Sequence, residues 1–280
     1  YYFFGQSISL IGTWVQNIAM GWLVYRLTGS ALMLGSVVFA MQLPSLFITP
    51  FAGVLADRWN RRKTIMVSQT LAMCVAFLLA YLVLSDNITV GWIIPLAVAN
   101  GIILAFDTPF RQAFVPDIVT GKEDLGNAIA LNSSLYNLAR FIGPPIGGVL
   151  IALVGEGWCF FINGVSFSTT ILALASIRIT SGKQSRRFGS ILAQLGEGLT
   201  YAWRFRTLRY LILLISLSSF FGLPFQALMP LFAAEILGGD AQMLGLLTGS
   251  LGAGALSGAL FLASRTNLLK IPRLTFFAAL

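Results

Sequence analysis

The sequence predicts an all-α polytopic membrane protein, and three observations predict it. Hydrophobic residues make up 57% of the 280 residues and charged residues only 10%, with a mean hydropathy of +0.83. A water-facing surface needs a charged fraction nearer to about 25%. Apolar stretches of roughly 20 residues, the length that crosses a bilayer, recur along the whole chain. Basic residues gather in alternate gaps between those stretches. Lipid cannot satisfy backbone polar groups, so the stretches must be helices rather than open strands.

The first predicted helix, 3–25, is largely apolar but carries Gln6, Ser9, Thr13, Gln16 and Asn17, whose spacing puts them on one face. Lipid penalises such a face, which should therefore turn inward. The second, 32–56, carries a shorter stripe of Gln42, Ser45 and Thr49. The third, 64–84, and the fourth, 90–106, follow from length and hydropathy. The fifth, 127–154, holds Asn137 and, three residues later on the same face, Arg140. An arginine near midplane costs about 2.5–3.5 kcal/mol to insert, so Arg140 should face a cavity, a carboxylate or an anionic ligand. Its guanidinium stays charged, which suits anion binding better than proton carriage. Helices at 158–177, 210–235 and 242–263 make eight complete spans, and a ninth begins near Leu274. The chain opens at Tyr1 without Met and stops inside an apolar run, as a fragment would.

Sixteen of the 18 basic residues fall in the gaps after the second, fourth, sixth and eighth helices. The exceptions are Arg26, in an opposite gap, and Arg140. Those four gaps are therefore cytoplasmic, and the formal charge of +8 is a positive-inside bias rather than a nucleic-acid surface. The longest polar break divides the chain into a six-helix bundle over 1–177, a basic linker over 178–209 and the start of a second bundle over 210–280. Inside the linker, 191–205 is amphipathic, with Trp203 and Phe205 beside Arg204 and Arg206. It should lie as a helix on the membrane surface.

His is absent, which removes His-ligated zinc, Ser-His-Asp triads and imidazole proton shuttles. Cys74 and Cys159 stand alone in apolar stretches, so neither a disulfide framework nor a CxxC site is available. Neither a Walker loop nor an HExxH motif is present. We expect no catalytic residue, metal or cofactor.

Two motifs carry more. The first cytoplasmic loop reads Gly53-Val54-Leu55-Ala56-Asp57-Arg58-Trp59-Asn60-Arg61-Arg62-Lys63. Gly53 permits close backbone approach, and Asp57 can pair with Arg61 four residues on. This stretch resembles the G-x-L-a-D-r-x-G-r-k signature of the major facilitator superfamily, with Asn60 where the family usually has Gly. The fifth helix carries Gly143-Pro144-Pro145-Ile146-Gly147-Gly148, similar to the GPxxGG motif of that family's exporters. The prolines lack donors and the glycines admit a neighbouring helix, for which the eighth span offers Gly245, Gly249, Gly254 and Gly258. The upstream positions hold Ala130 and Ala139 where further glycines are usual. The run Asp107-Thr108-Pro109-Phe110-Arg111-Gln112-Ala113-Phe114-Val115-Pro116, with Asn127 to Ser133 and Arg140 to Pro144, resembles a bacterial branch of siderophore, drug and macrolide exporters.

The resemblance implies the major facilitator fold and a secondary transporter exporting a siderophore or drug-like compound across the bacterial cytoplasmic membrane. Alternating access and proton antiport are implied with it, as are a monomeric state and only substrate, protons and lipid as partners. Multidrug or macrolide efflux is the alternative cargo, and a non-transporting receptor the alternative class. In the family the first helix lines the central cavity, which makes Ser9, Thr13, Gln16 and Asn17 candidate substrate contacts, joined by Gln42, Asn100, Asn137 and Arg140. Many proton-coupled relatives have Arg three residues before a Gln-Gly pair in the fourth helix. Here that pair is Asn100-Gly101 and the Arg position is Ala97, so their proton mechanism does not transfer. Gly53, Asp57, Arg58, Arg61 and Asp107 are the expected cytoplasmic gating set. Asp57, Arg61 and Asp107 should cluster there. Gly143, Pro144, Gly147 and Gly148 are the expected packing motif.

Overall fold

The computed structural model describes residues 2–119, 124–177 and 190–263, which are helical almost throughout. The helices are α1 Tyr2–Thr28, α2 Ala31–Ala56, α3 Arg61–Leu84, α4 Val90–Ile118, α5 Leu125–Val154, α6 Glu156–Ser176, α7 Ile191–Arg204, α8 Arg206–Ala227, a single turn α9 Met229–Leu231, and α10 Ala241–Ala263. Lys122, Arg178, Lys183, Arg186, Arg187, Arg265, Lys270, Arg273 and the ninth span near Leu274 lie outside the described residues. Seven helices, α2 to α6, α8 and α10, are long and apolar enough to cross a membrane. The 27-residue α1 has the length, but its polar stripe dilutes its hydropathy.

Two spans differ from the sequence expectation. The fourth helix does not stop at Phe106 but runs on through Asp107 and Arg111 to Ile118. Charged residues looked like a loop, yet Asp107 and Arg111 are four apart and neutralise each other on one helix face. The seventh span is broken after Ala227, and a π-helical turn, Phe232–Ile236, follows α9. Pro230 has no N–H to give to the preceding turn and stands in the first turn of α9, where the missing donor costs least, so the break falls just before it. The amphipathic linker segment is helical as expected, as α7.

The first six helices pack through small residues. A Cβ at Gly12 would sit 2.5 Å from the Ser166 hydroxyl of α6, and one at Gly143 would sit 2.5 Å from Trp14 Cβ of α1. At Gly147 it would meet the Val15 backbone of α1 at 3.2 Å, and at Gly101 it would overlap the Met41 carbonyl of α2. Gly148 faces α10, where a Cβ would lie 2.5 Å from the Ala241 carbonyl. The expected pairing of the fifth and eighth spans is thus present, though divided: Gly143 and Gly147 admit α1, and Gly148 admits α10. On α10 the partners are Gly245, Gly249 and Gly252, whereas Gly254 and Gly258 have no described neighbour within 4 Å. Pro144 and Pro145 leave the carbonyls of Arg140 and Phe141 without helical donors. Those carbonyls face Gly252 and Gly249, whose α-hydrogens point where a Cβ would otherwise stand.

Two buried apolar clusters bracket the interior. One gathers Tyr2, Ala52, Ile65, Phe110, Phe114 and Leu174, and the other runs from Val15 and Leu23 through Leu79 and Ile93 to Phe160. The ends of α2, α4 and α6 meet at the first cluster. There Arg61 donates to the Ala56 and Ala113 carbonyls at 2.8 and 3.0 Å, and Arg62 donates to the Ala175 carbonyl at 2.9 Å. At the opposite end Arg26 makes a two-point ion pair with Glu156, at 2.8 and 3.3 Å, joining α1 to α6.

The glycine contacts make a differential prediction. Gly148→Ala forces a Cβ into the α10 backbone and should destabilise the protein by about 1–3 kcal/mol. Gly91→Ala places its Cβ at an ordinary 3.6 Å from Thr89 Oγ1 and should be neutral. Thermal unfolding of the two variants in detergent checks this, and equal melting temperatures would refute it.

Candidate functional site

Between the two apolar clusters lies a polar cavity of about 430 Å³, within the range of small-molecule sites. Along α1, α3 and α4 its residues fall in sequence between those that build the clusters. From α1 it takes Ser9, Thr13 and Gln16; from α3, Gln69; from α4, Asn100, Asp107, Thr108, Arg111 and Gln112. From α5 it takes Asn132, Ser133, Tyr136 and Asn137, and Phe167 of α6 forms an apolar wall.

The α1 stripe is held in place by bonds to its neighbours. Gln6 donates to Asn132 Oδ1 at 3.0 Å, and Gln16 accepts from Asn163 Nδ2 at 2.8 Å. Both glutamines are buried, so these bonds replace water and fix the rotation of α1. Thr13 donates its hydroxyl back to the Ser9 carbonyl at 2.8 Å and lines the cavity.

At one end of the cavity stands the ion pair of Asp107 and Arg111, both buried. Arg111 donates through Nε at 2.9 Å to Asp107 Oδ2, and its Nη2 stands 2.8 Å from the same oxygen as an ion pair. The other carboxylate oxygen accepts from the Ser68 hydroxyl at 2.6 Å and from Gln69 Nε2 at 3.0 Å. Three hydrogen bonds and the guanidinium charge on one carboxylate compensate its removal from water. Arg111 Nη1 and Gln69 Oε1 are buried without a hydrogen-bond partner among the described residues.

Five of the eight expected substrate contacts, Ser9, Thr13, Gln16, Asn100 and Asn137, line this cavity. Three do not. Asn17 and Gln42 are exposed and outside the cavity lining. Arg140 lies over the Trp14 ring, 5.9 Å from its centroid, where the aromatic face meets the cationic charge. The cation that lines the cavity is Arg111, which the sequence reading had placed in a cytoplasmic loop. The expected cluster of Asp57, Arg61 and Asp107 also separates. Arg61 pairs with Asp57 at 3.2 Å and with Asp117 at 2.9 Å, whereas Asp107 is held by Arg111. Asp107 belongs to the cavity because α4 continues as a helix and turns it inward. Gly53 is exposed with open space around it, and Arg58 follows in the loop. Asn60, the departure from the family signature, caps α3 by accepting from the Lys63 amide at 2.9 Å.

Gln69, Arg111, Asn132 and Tyr136 were missed as cavity residues. The spacing of Arg111 from Asp107 was a usable signal; the others are single polar residues in helices whose orientation only packing fixes.

The chain is similar to the staphyloferrin A transporter of Staphylococcus aureus, 31% identical over 61% of this chain and 43% of that protein. It is also similar to the multidrug efflux pump Tap of Mycobacterium tuberculosis, 29% identical over 74% of this chain and 51% of the pump. The macrolide efflux protein A of Streptococcus pyogenes is 24% identical over 92% of this chain and 64% of its own length. The chain thus spans about half the length of the curated relatives it matches. The transmembrane secretion effector family matches residues 3–280, with the two loop and helix motifs and the interior cavity all inside that range. By that match, the chain belongs to the transmembrane secretion effector branch of the major facilitator superfamily.

Proposed function

We propose that the full-length protein is a secondary transporter that exports a small molecule across the bacterial cytoplasmic membrane by alternating access, coupled to protons. The observation that carries this reading is a cavity lined by polar side chains among helices long enough to cross a bilayer. Polar side chains are costly within spanning helices unless they bond to one another or something polar uses them. The domain reading goes with it: residues 1–177 as the first six-helix bundle, 178–209 as the linker, 210–280 as the start of the second bundle. The relatives' names support siderophore or drug-like cargo. Transport by purified full-length protein in proteoliposomes, with staphyloferrin A, erythromycin and ethidium as probes, tests it. Movement of none of them would defeat the reading.

Two predictions follow from the site. Thr13 faces the cavity, so Thr13→Phe fills part of it and should lower transport by about tenfold or more, equivalent to about 1.4 kcal/mol. Detergent-solubilised protein should remain monodisperse. Undiminished transport by a folded Thr13→Phe protein would show that cargo takes another route.

Arg61 ties the end of α2 to the end of α4 through the Ala56 and Ala113 carbonyls and Asp117. Arg61→Gln should therefore impair transport more than Asp57→Asn. The Asp57 side chain is 61% exposed, and an exposed ion pair contributes only about 0–1 kcal/mol. Transport assays on both variants decide this; a larger loss in Asp57→Asn would reverse the assignment.

A further inference from the structure

We propose that Asp107 is the group that carries the coupling proton, and that a cationic cargo competes with that proton for its carboxylate. This rests on the proton-coupled reading above. The other described carboxylates sit at helix ends, in turns or in α7, and the buried one among them, Glu156, is paired with Arg26 away from the cavity. Asp107 stands about 26 Å along α4 from Val90 and about 16 Å from Ile118, at 1.5 Å per residue. Among the described residues it is the one carboxylate in the cavity wall.

Its surroundings are asymmetric in a useful way. On α4 it faces Arg111, on α3 the neutral Ser68 and Gln69, and the phenols of Tyr2 on α1 and Tyr136 on α5 stand close enough to feel its charge. Arg111 keeps its proton throughout. With Asp107 ionised, the pair is neutral. When Asp107 takes a proton its negative charge disappears and the cavity gains one net positive charge from Arg111. In a space of about 430 Å³ walled by protein, that charge repels a second cation and attracts an anion. Proton and cationic cargo therefore exclude one another, which is the condition for exchanging one against the other. An anionic cargo would enter together with the proton, which is cotransport. Through this pair, exchange against a proton favours a cationic cargo.

The alternative is that Asp107 only neutralises Arg111. The test uses the full-length protein in proteoliposomes with ethidium as the cationic probe, comparing wild type, Asp107→Asn and Asp107→Asn/Arg111→Gln. The double variant keeps the pocket neutral, so it stays informative where the single variant leaves a buried charge unpaired. Two quantities are read: the ratio of efflux driven by a pH gradient to ethidium exchange without a gradient, and the pH dependence of ethidium affinity. In wild type, affinity should weaken about tenfold for each unit of pH lowered through the competing range. In the double variant the gradient-driven ratio should fall at least tenfold and the affinity become independent of pH. A double variant that is still driven by the gradient, or whose affinity still follows pH, overturns the proposal. So does loss of efflux and exchange in equal proportion with pH-dependent binding retained. Wild-type protein that moves staphyloferrin A or erythromycin but no ethidium overturns the cationic cargo, and one that moves ethidium without regard to the gradient defeats the proton-coupled reading itself.

Discussion

Lipid offers no hydrogen bonds, and the interior of this protein is arranged around that one fact. Gln6, Ser9, Gln16, Ser68, Gln69, Asp107 and Arg111, buried on α1, α3 and α4, each bond to another helix or border the cavity. Gln6 and Gln16 illustrate the first case, since their bonds to Asn132 and Asn163 join α1 to α5 and α6. Asp107 illustrates the extreme, a buried charge that persists because Arg111, Ser68 and Gln69 all converge on it. Those bonds do more than offset desolvation. They fix the rotation of each helix about its axis, and the rotation decides which residues face the cavity.

Such bonds form only if the helices come close, and here the glycines decide. The contacts at Gly12, Gly101, Gly143 and Gly148 leave no room for a Cβ, so the backbones nearly touch. Close approach brings weak carbonyl contacts and dense packing into play, which replace the missing hydrophobic drive between helices in lipid. Sequence thus acts twice at each crossing: small residues set the distance and polar residues set the angle.

How far the sequence could be read follows from the same division. Spans and loop motifs were legible because hydropathy and charge asymmetry are summed over many residues. The end of α4 was not, because Asp107 and Arg111 each resemble an interfacial residue until their mutual neutralisation is seen. The break after α8 was signalled by Pro230 but outweighed by the apolar run around it. Within the site, the α1 stripe was legible because its period matches a helix. Arg140 misled, since a lone arginine in an apolar run gives no hint that the adjacent surface is the Trp14 ring. Position along a helix is written in sequence; the direction a single side chain faces is written in packing.

The distribution of polar bonds also separates what is rigid from what can move. Arg26 with Glu156 ties one end of the first bundle, and Arg61 with the Ala56 and Ala113 carbonyls ties the other. Both lie within the first six helices, so that bundle is braced at each end. The contact of α5 with α10 is built differently, from Gly148, Gly245, Gly249 and Gly252 against backbone and proline rings. Side-chain hydrogen bonds and ion pairs set a register that must break before helices slide, whereas a smooth glycine surface keeps its van der Waals contact through small rotations. Under an alternating-access cycle the strain of rocking therefore falls on the α5 and α10 seam, and the braced bundle carries the Asp107 and Arg111 pair through the motion as a unit.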